Sequence, residues 1–232
     1  MRFILISILL ISTVLVSAYG IYSGRIVVPD VWNPWAKLKI EEPLNWLTRI
    51  KLARLSTNDD LCLSVLAEAQ MSYHAVPDRE TGPGCAFDNA VRIERTSLRI
   101  GEPFTLSCRS AVALALWEHH ALHPAAQKLF AEPVVRIEHF GSYACRNVYS
   151  RKDAPLSRHA TADAVDIGGF VLASGRRISV ARDWAADSNE GHFLRALRDG
   201  ACSVFDSVLG PEYNAAHSNH FHLDRGGYRM CR

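Results

Sequence analysis

Residues 217–224, HSNHFHLD, and residues 157–166, SRHATADAVD, hold the pattern from which the rest of the chain is best read. Each alternates in the manner of a strand, on which successive side chains point to opposite faces. His220, His222 and Asp224 then share one face with Phe221 and Leu223 opposite, and Ala164, Asp166 and Gly168 share a face with Val165 and Ile167 turned to the core. Two such strands laid side by side bring a carboxylate and two imidazoles together, and His159, at the entrance to its strand, adds a third potential ligand. Catalytic zinc takes three protein ligands of N and O type and keeps a fourth position open. His159, Asp166 and His222 meet that count. His220 and His217 stand close by for proton movement, and Asp224 is placed to fix one imidazole's tautomer from behind. The plain alternative is a histidine-rich strand pair without metal; the two motifs together, in an exported chain, favour the metal.

Working outward, strand patterns at 162–172 and 176–181 flank the hairpin signal Ser174-Gly175. A helix is expected over 190–208 and a last strand at 219–224. Upstream, Ser56-Thr57-Asn58-Asp59 offers capping residues before a helix through Leu61–Leu66. Gly82-Pro83-Gly84 breaks the chain before a short strand at Ala90–Ile93. Residues 105–121 form the strongest helical pattern, Pro124 opens a further turn or helix through Phe130, and Val134–Ile137 reads as a strand. Helices mostly precede strands. The class is therefore α+β: a small antiparallel sheet carrying a zinc site, flanked by helices, with an N-terminal hydrophobic helix. The chain divides into a signal anchor or signal peptide at 1–22, a linker at 23–56 leading into a short strand or helix, and one domain at 57–232.

Phe3–Tyr22 contains no charge and is long enough, at about 20 residues, to span the ~30 Å hydrocarbon core of a membrane. Arg2 and the terminal amine favour the cytoplasmic side for that end and send the remainder outward. An uncleaved anchor in the inner membrane is preferred, with cleavage near Val16-Ser17-Ala18 as the alternative; the domain is periplasmic and tethered in the first case, secreted in the second. Cys62, Cys85, Cys108, Cys145, Cys202 and Cys231 include no CxxC pair and read as disulfides in an oxidising compartment. The guess for one pair is Cys202 with Cys231, which ties the tail to the preceding helix. A net charge of +2, with basic residues scattered, gives no sign of nucleic-acid binding.

The pattern SxHxxxxAxD followed by HxxHxH resembles the zinc peptidases that include D-alanyl-D-alanine carboxypeptidases, lysostaphin-type endopeptidases and hedgehog-like domains. More closely, the chain from about Leu61 to Cys231 resembles the bacterial extensin-like C-terminal family. The matching stretches are Gly141–Arg146, His159–Phe170, Asp183-Trp184, Gly200-Ala201-Cys202, Val208–Pro211 and His217–Asp224. The resemblance implies His159, Asp166 and His222 as Zn2+ ligands, His220 as the catalytic histidine, His217 in the pocket, and Arg146 near a substrate carboxylate or oxyanion, a task its bidentate guanidinium suits. It implies a zinc metallopeptidase acting on peptidoglycan peptides; the alternative is a non-catalytic zinc-containing wall-binding or structural module. Two departures stand out. Ala162 occupies a position where the peptidases usually have Gly, a residue that tolerates unusual φ, and the Glu-Trp-x-His base motif of the carboxypeptidases is missing.

Other residues attract plainer readings. Trp117-Glu118-His119-His120 lacks the order of a metalloprotease helix and is expected at an exposed helix end. His74, His123, His139 and His192 are isolated. Trp184 is expected in the core, and Ser157, without triad partners, is expected to hydrogen-bond around the His159 loop.

Overall fold

A computed structural model describes residues 2–232 and has a mixed α+β fold with mainly antiparallel sheets. Helix α1 (Arg2–Tyr22) is apolar and exposed along nearly its whole length, and is long enough to cross a membrane. Helices α2 (Trp46–Arg54) and α3 (Asp59–Leu66) follow. Strands β1 (Ser72–Val76), β2 (Arg79–Gly82), β3 (Cys85–Phe87), β4 (Ala90–Arg95) and β5 (Phe104–Ser107) come next, then α4 (Cys108–Trp117) and α5 (His123–Phe130). The C-terminal half holds β6 (Val134–Gly141), β7 (Ala164–Leu172), β8 (Arg177–Ser179), α6 (Val180–Asp183), α7 (Asn189–Ala201), β9 (Ser207–Leu209), β10 (Phe221–Asp224) and β11 (Met230–Cys231).

The larger sheet runs β11-β9-β10-β7-β6, with β8 also on β7; only the β11–β9 pair is parallel. A second sheet runs β1-β4-β5, and β2 and β3 form a separate hairpin around Gly82-Pro83-Gly84. Strand β7, AVDIGGFVL, organises the domain. Its residues are buried on both faces except for the half-buried Asp166, as expected of a strand covered on each side. One core, centred on Phe170, joins the helices to this sheet: Trp117 lies 6.1 Å and Phe193 5.4 Å from its ring, and the Trp117 indole donates to Leu197 O at 2.9 Å. Trp184 packs in the same core against Phe221.

Gly169 is where β8 closes on β7. A Cβ there would stand 2.6 Å from the carbonyl oxygen of Ile178, a backbone atom that has no room to yield. Gly169→Ala is expected to cost about 1–3 kcal/mol, the usual penalty for overpacking, read as a lowered urea midpoint. The neighbouring Gly168→Ala is expected to cost less, because its Cβ would meet only the tip of the Phe140 ring, a movable and exposed side chain.

Several sequence expectations need correction. Residues 105–121 are not one helix: Phe104–Ser107 pairs with β4, α4 begins at Cys108, and a π turn over Glu118–Leu122 joins it to α5. Thr105 and Leu106 suit a strand, and the Ala-rich helical run starts only after them. The helix expected over 190–208 stops at Ala201, since Ser207–Leu209 is taken into the sheet beside β10. Strands β1 to β3 and β11 escaped the sequence reading; all are short, and all but β3 are largely exposed. Residues 23–56 are more than a linker. They form α2 and bury Leu38, Ile40, Leu47, Leu52 and Leu55, and Lys51 and Arg54 of α2 hold the loop ahead of it through the carbonyls of Asp30 and Pro34. Trp117 and Glu118 are buried rather than at an exposed helix end. Glu118 accepts hydrogen bonds from Ser97, and burial pushes its carboxyl up to about 7 against the pull of those bonds.

Three disulfides clamp the fold: Cys62–Cys108 between α3 and α4, Cys85–Cys145 between β3 and the segment after β6, and Cys202–Cys231 between the end of α7 and β11. The last is the pair expected from the sequence. Such bridges are consistent with an oxidising, exported setting.

Candidate metal centre

The antiparallel register of β10 on β7 sets His222 directly opposite Asp166. This is the strand-pair geometry that the alternation of the two motifs required. His159 arrives from a 3-10 turn, Arg158–Thr161, capped by the Ser157 side chain, whose Oγ accepts from the His159 amide. The turn ends at Ala162, buried and left-handed at φ 54°, ψ 26°. That conformation costs a non-glycine residue about 1–2 kcal/mol, and it redirects the chain from His159 into β7. Glycine adopts this conformation without that penalty, and here an alanine bears the cost.

The three side chains converge. His159 Nε2 lies 3.1 Å from His222 Nδ1 and 3.2 Å from Asp166 Oδ2, and His222 Nδ1 lies 2.9 Å from Asp166 Oδ1. Their far atoms determine what they present to one another. His159 Nδ1 donates to the carbonyl of Ser142 at 2.8 Å, and His222 Nε2 donates to Asp224 Oδ2 at 3.1 Å. A carbonyl and a carboxylate only accept, so both protons sit on the outer nitrogens and both inner nitrogens turn lone pairs toward the Asp166 carboxylate. Three such acceptors this close repel unless a proton or a cation lies among them. Ligands bound at about 2.0–2.2 Å to a tetrahedral zinc stand roughly 3.3–3.5 Å apart, so a slight opening of this triangle fits the ion, and the N/O donor set is one zinc accepts.

Without an ion the cluster holds a proton. Burial alone lowers the His222 pKa, but hydrogen bonds to Asp166 and Asp224 outweigh it and raise the value to about 9. Burial alone raises that of Asp166, yet hydrogen bonds from His159 and His222 hold it well below the usual carboxylate range. The sign of the linkage follows: in the metal-free protein the paired His222 stabilises the fold fully below pH 6.5, and that contribution is lost as the pH rises through about 9. A cation competes with the same proton. Zinc uptake at pH 7 is expected to release about one proton, and the apparent affinity to rise about tenfold per pH unit from 7 until it levels near 9. Titration calorimetry in buffers of different ionisation enthalpy reads both.

His220 and His217 flank the triangle without joining it. His220 Nε2 is 3.6 Å from Asp166 Oδ1, and its ring meets the edge of Phe140. His217 stacks 5.2 Å from His220. Burial lowers the pKa of both, with neighbouring histidines adding to it, and His217 falls to about 4. Arg146 lies on the exposed wall of the same cavity, next to the Cys85–Cys145 bridge, and its carbonyl accepts from the Ser157 amide at 3.0 Å. The cavity measures about 590 Å³ and opens to solvent past Tyr213 and Tyr228.

Asn214, Tyr149 and Ser142 were not singled out by the sequence reading. Asn214 Oδ1 accepts from the Ala216 amide and from His217 Nδ1, while its amide donates to the Tyr149 hydroxyl. The Ala216 bond fixes which way Asn214 faces, and with it the tautomer of His217, whose Nε2 is left as a lone pair. Tyr149 and Ser150 are successive left-handed residues at φ 54° and 57°, a strained pair in the cavity wall of the kind found near functional sites. A cap-type Asn three residues before His217 was the one available sequence signal; the left-handed pair has none. Among the described residues, His159, Asp166 and His222 form the one cluster with the spacing to hold a metal ion.

Comparison with known families gives one match: the family model described as extensin-like protein C-terminus covers residues 60–232. No curated protein and no solved structure matches the chain.

Proposed function

The chain belongs to the extensin-like C-terminal family, and we propose that this member is an exported zinc-dependent hydrolase of peptidoglycan peptides, held at the inner membrane by α1 on its periplasmic side. The observation that carries this reading is the convergence of three inward-facing acceptors, with tautomers fixed from behind, at the floor of an open cavity. The likeness of the motifs to zinc peptidases supports the choice of reaction.

His159, Asp166 and His222 would hold the ion. Zinc there supplies Lewis acidity, which polarises a substrate carbonyl and acidifies water. The chain's own groups do the remaining work. Ser142 and Asp224 keep the ligand tautomers. His217 and His220, neutral at pH 7, offer ring nitrogens to take a proton from the attacking water and return it to the leaving amine. Arg146 pairs with a substrate carboxylate, and the tyrosine-lined wall takes up the peptide.

One observation favours a second reading, a wall-binding module that keeps its ion without turnover. Among the described residues, Asp166 and Asp224 are the only carboxylates lining the cavity, and both are occupied by histidines, which leaves no free carboxylate there to serve as base. Digestion of purified muropeptides, read by mass spectrometry, separates the two. Cleavage that a chelator abolishes and added zinc restores supports the hydrolase; retention on peptidoglycan with no product supports the module.

A further inference from the structure

A second concavity, of about 720 Å³, lies apart from the metal-centre cavity, across the outer face of the β1-β4-β5 sheet. Its floor is a cross-strand row, since the register places His74 opposite Arg92 and Arg92 opposite Thr105. The hairpin β2–β3 forms one wall. There Arg79 lies over the Phe87 ring at 5.3 Å, Phe87 packs on Tyr143 at 4.6 Å, and the Tyr143 hydroxyl bonds to Thr81. Pro103, Phe104 and Phe140 form the other wall.

Three features make this more than a dent in the surface. First, Arg79 and Arg92 both face the groove, and among the described residues neither has a carboxylate within 4 Å; the groove's own acid, Glu102, stands at the rim as one negative charge against two positive ones. Second, aromatic rings line the walls beside those guanidiniums, a combination that accepts the apolar stem of a peptide together with its carboxylates. Third, two residues of the groove touch the metal centre. Ser142 lines the groove while its carbonyl fixes His159, and the Phe140 ring lies between the groove and His220.

We propose that this groove is a second subsite that binds the carboxylate-bearing flank of an extended peptide, with Arg92 in the floor and Arg79 in the wall as the anion contacts. The choice of peptide as occupant rests on the hydrolase reading above; the preference for free carboxylates rests on the groove alone. Peptidoglycan stem peptides carry such carboxylates, so a stem lying across Phe140 would have its acidic flank in the groove and its reacting bond at the metal centre.

The test is made with the full-length protein in detergent micelles and with chelator present, so that neither metal nor turnover contributes. The probe is a fluorescently labelled soluble muropeptide with free carboxylates, compared with its methyl-esterified form by anisotropy. The wild-type protein is expected to bind the free acid at least about fivefold more tightly than the ester, and Arg92→Glu and Arg79→Glu to weaken free-acid binding about tenfold each. Both side chains are exposed, so the variants are expected to fold, which an unchanged melting temperature verifies. Equal affinity for acid and ester, wild-type affinity in both variants, or no binding at millimolar peptide each overturns the subsite. Charge-dependent binding by a protein that cleaves nothing leaves the subsite standing and removes the hydrolase reading. Cleavage that is indifferent to both arginines does the reverse.

Discussion

Asp163→Ala is expected to destabilise the fold by about 3 kcal/mol or more and to weaken metal binding, although Asp163 touches no metal ligand side chain. The carboxylate is 4% exposed and fully engaged. It accepts from Ser107 Oγ at 2.6 Å, from Arg109 Nε and Nη2 at 2.9 and 2.7 Å, and from Thr161 Oγ1 at 2.8 Å. Removing one partner of a buried ion pair costs about 3–5 kcal/mol, because the other charge loses its compensation. The Arg109 side chain keeps 29% of its exposure, so water relieves part of that loss and the lower end of the range applies. The effect reaches the site because Asp163 lies between His159 and Asp166. Its bonds join the 3-10 turn to β5 and α4, and its backbone oxygen accepts from Ser110 Oγ and the Arg225 amide. Urea unfolding and zinc titration of the same variant read both consequences. A loss below about 1 kcal/mol would show that the loop is held by other contacts.

His220→Ala is expected to lower muropeptide cleavage by about 10²–10⁴-fold, the usual worth of a positioned acid–base group, while leaving zinc content unchanged. The distinction lies in geometry. His222, two residues on, is inside the triangle with its inner nitrogen 2.9 Å from Asp166, whereas His220 stands 3.6 Å away with its Nδ1 bonded to Asn219. His222→Ala is therefore expected to lose metal and activity together, and His220→Ala activity alone. If His220→Ala also loses zinc, the ligand set has been misassigned.

The part of the site that obeys strand alternation was legible in the sequence. With FHLD and AVDI read as strands, Asp166 and His222 each fall on the face away from the apolar core residues, and the register sets them opposite each other. Asp224 behind His222 followed from the same alternation, and a hydrogen bond from the His159 loop to Ser157 was expected from its chemistry. What lay beyond reach depends on contacts between segments far apart in the chain. Glu118 was misread because the loop at Ser97 that covers it is about 20 residues away. The Asn214–Tyr149 brace depends on two left-handed residues that sequence does not mark. Cys202–Cys231 followed from the tail's position, but nothing local distinguishes the partners of Cys62 or Cys85. The segment before α3 looked like a linker because its prolines hide the spacing of Leu38, Ile40, Leu47 and Leu52, which meet only in the folded core.

The most direct test of the metal centre is the zinc content of a soluble fragment starting near Arg25, which removes the apolar helix but keeps the packed segment ahead of α3. After zinc reconstitution and removal of excess, metal analysis is expected to find one zinc per chain in the wild-type fragment and a small fraction of that in His159→Ala. A wild-type fragment that is folded and still holds no zinc would contradict the account.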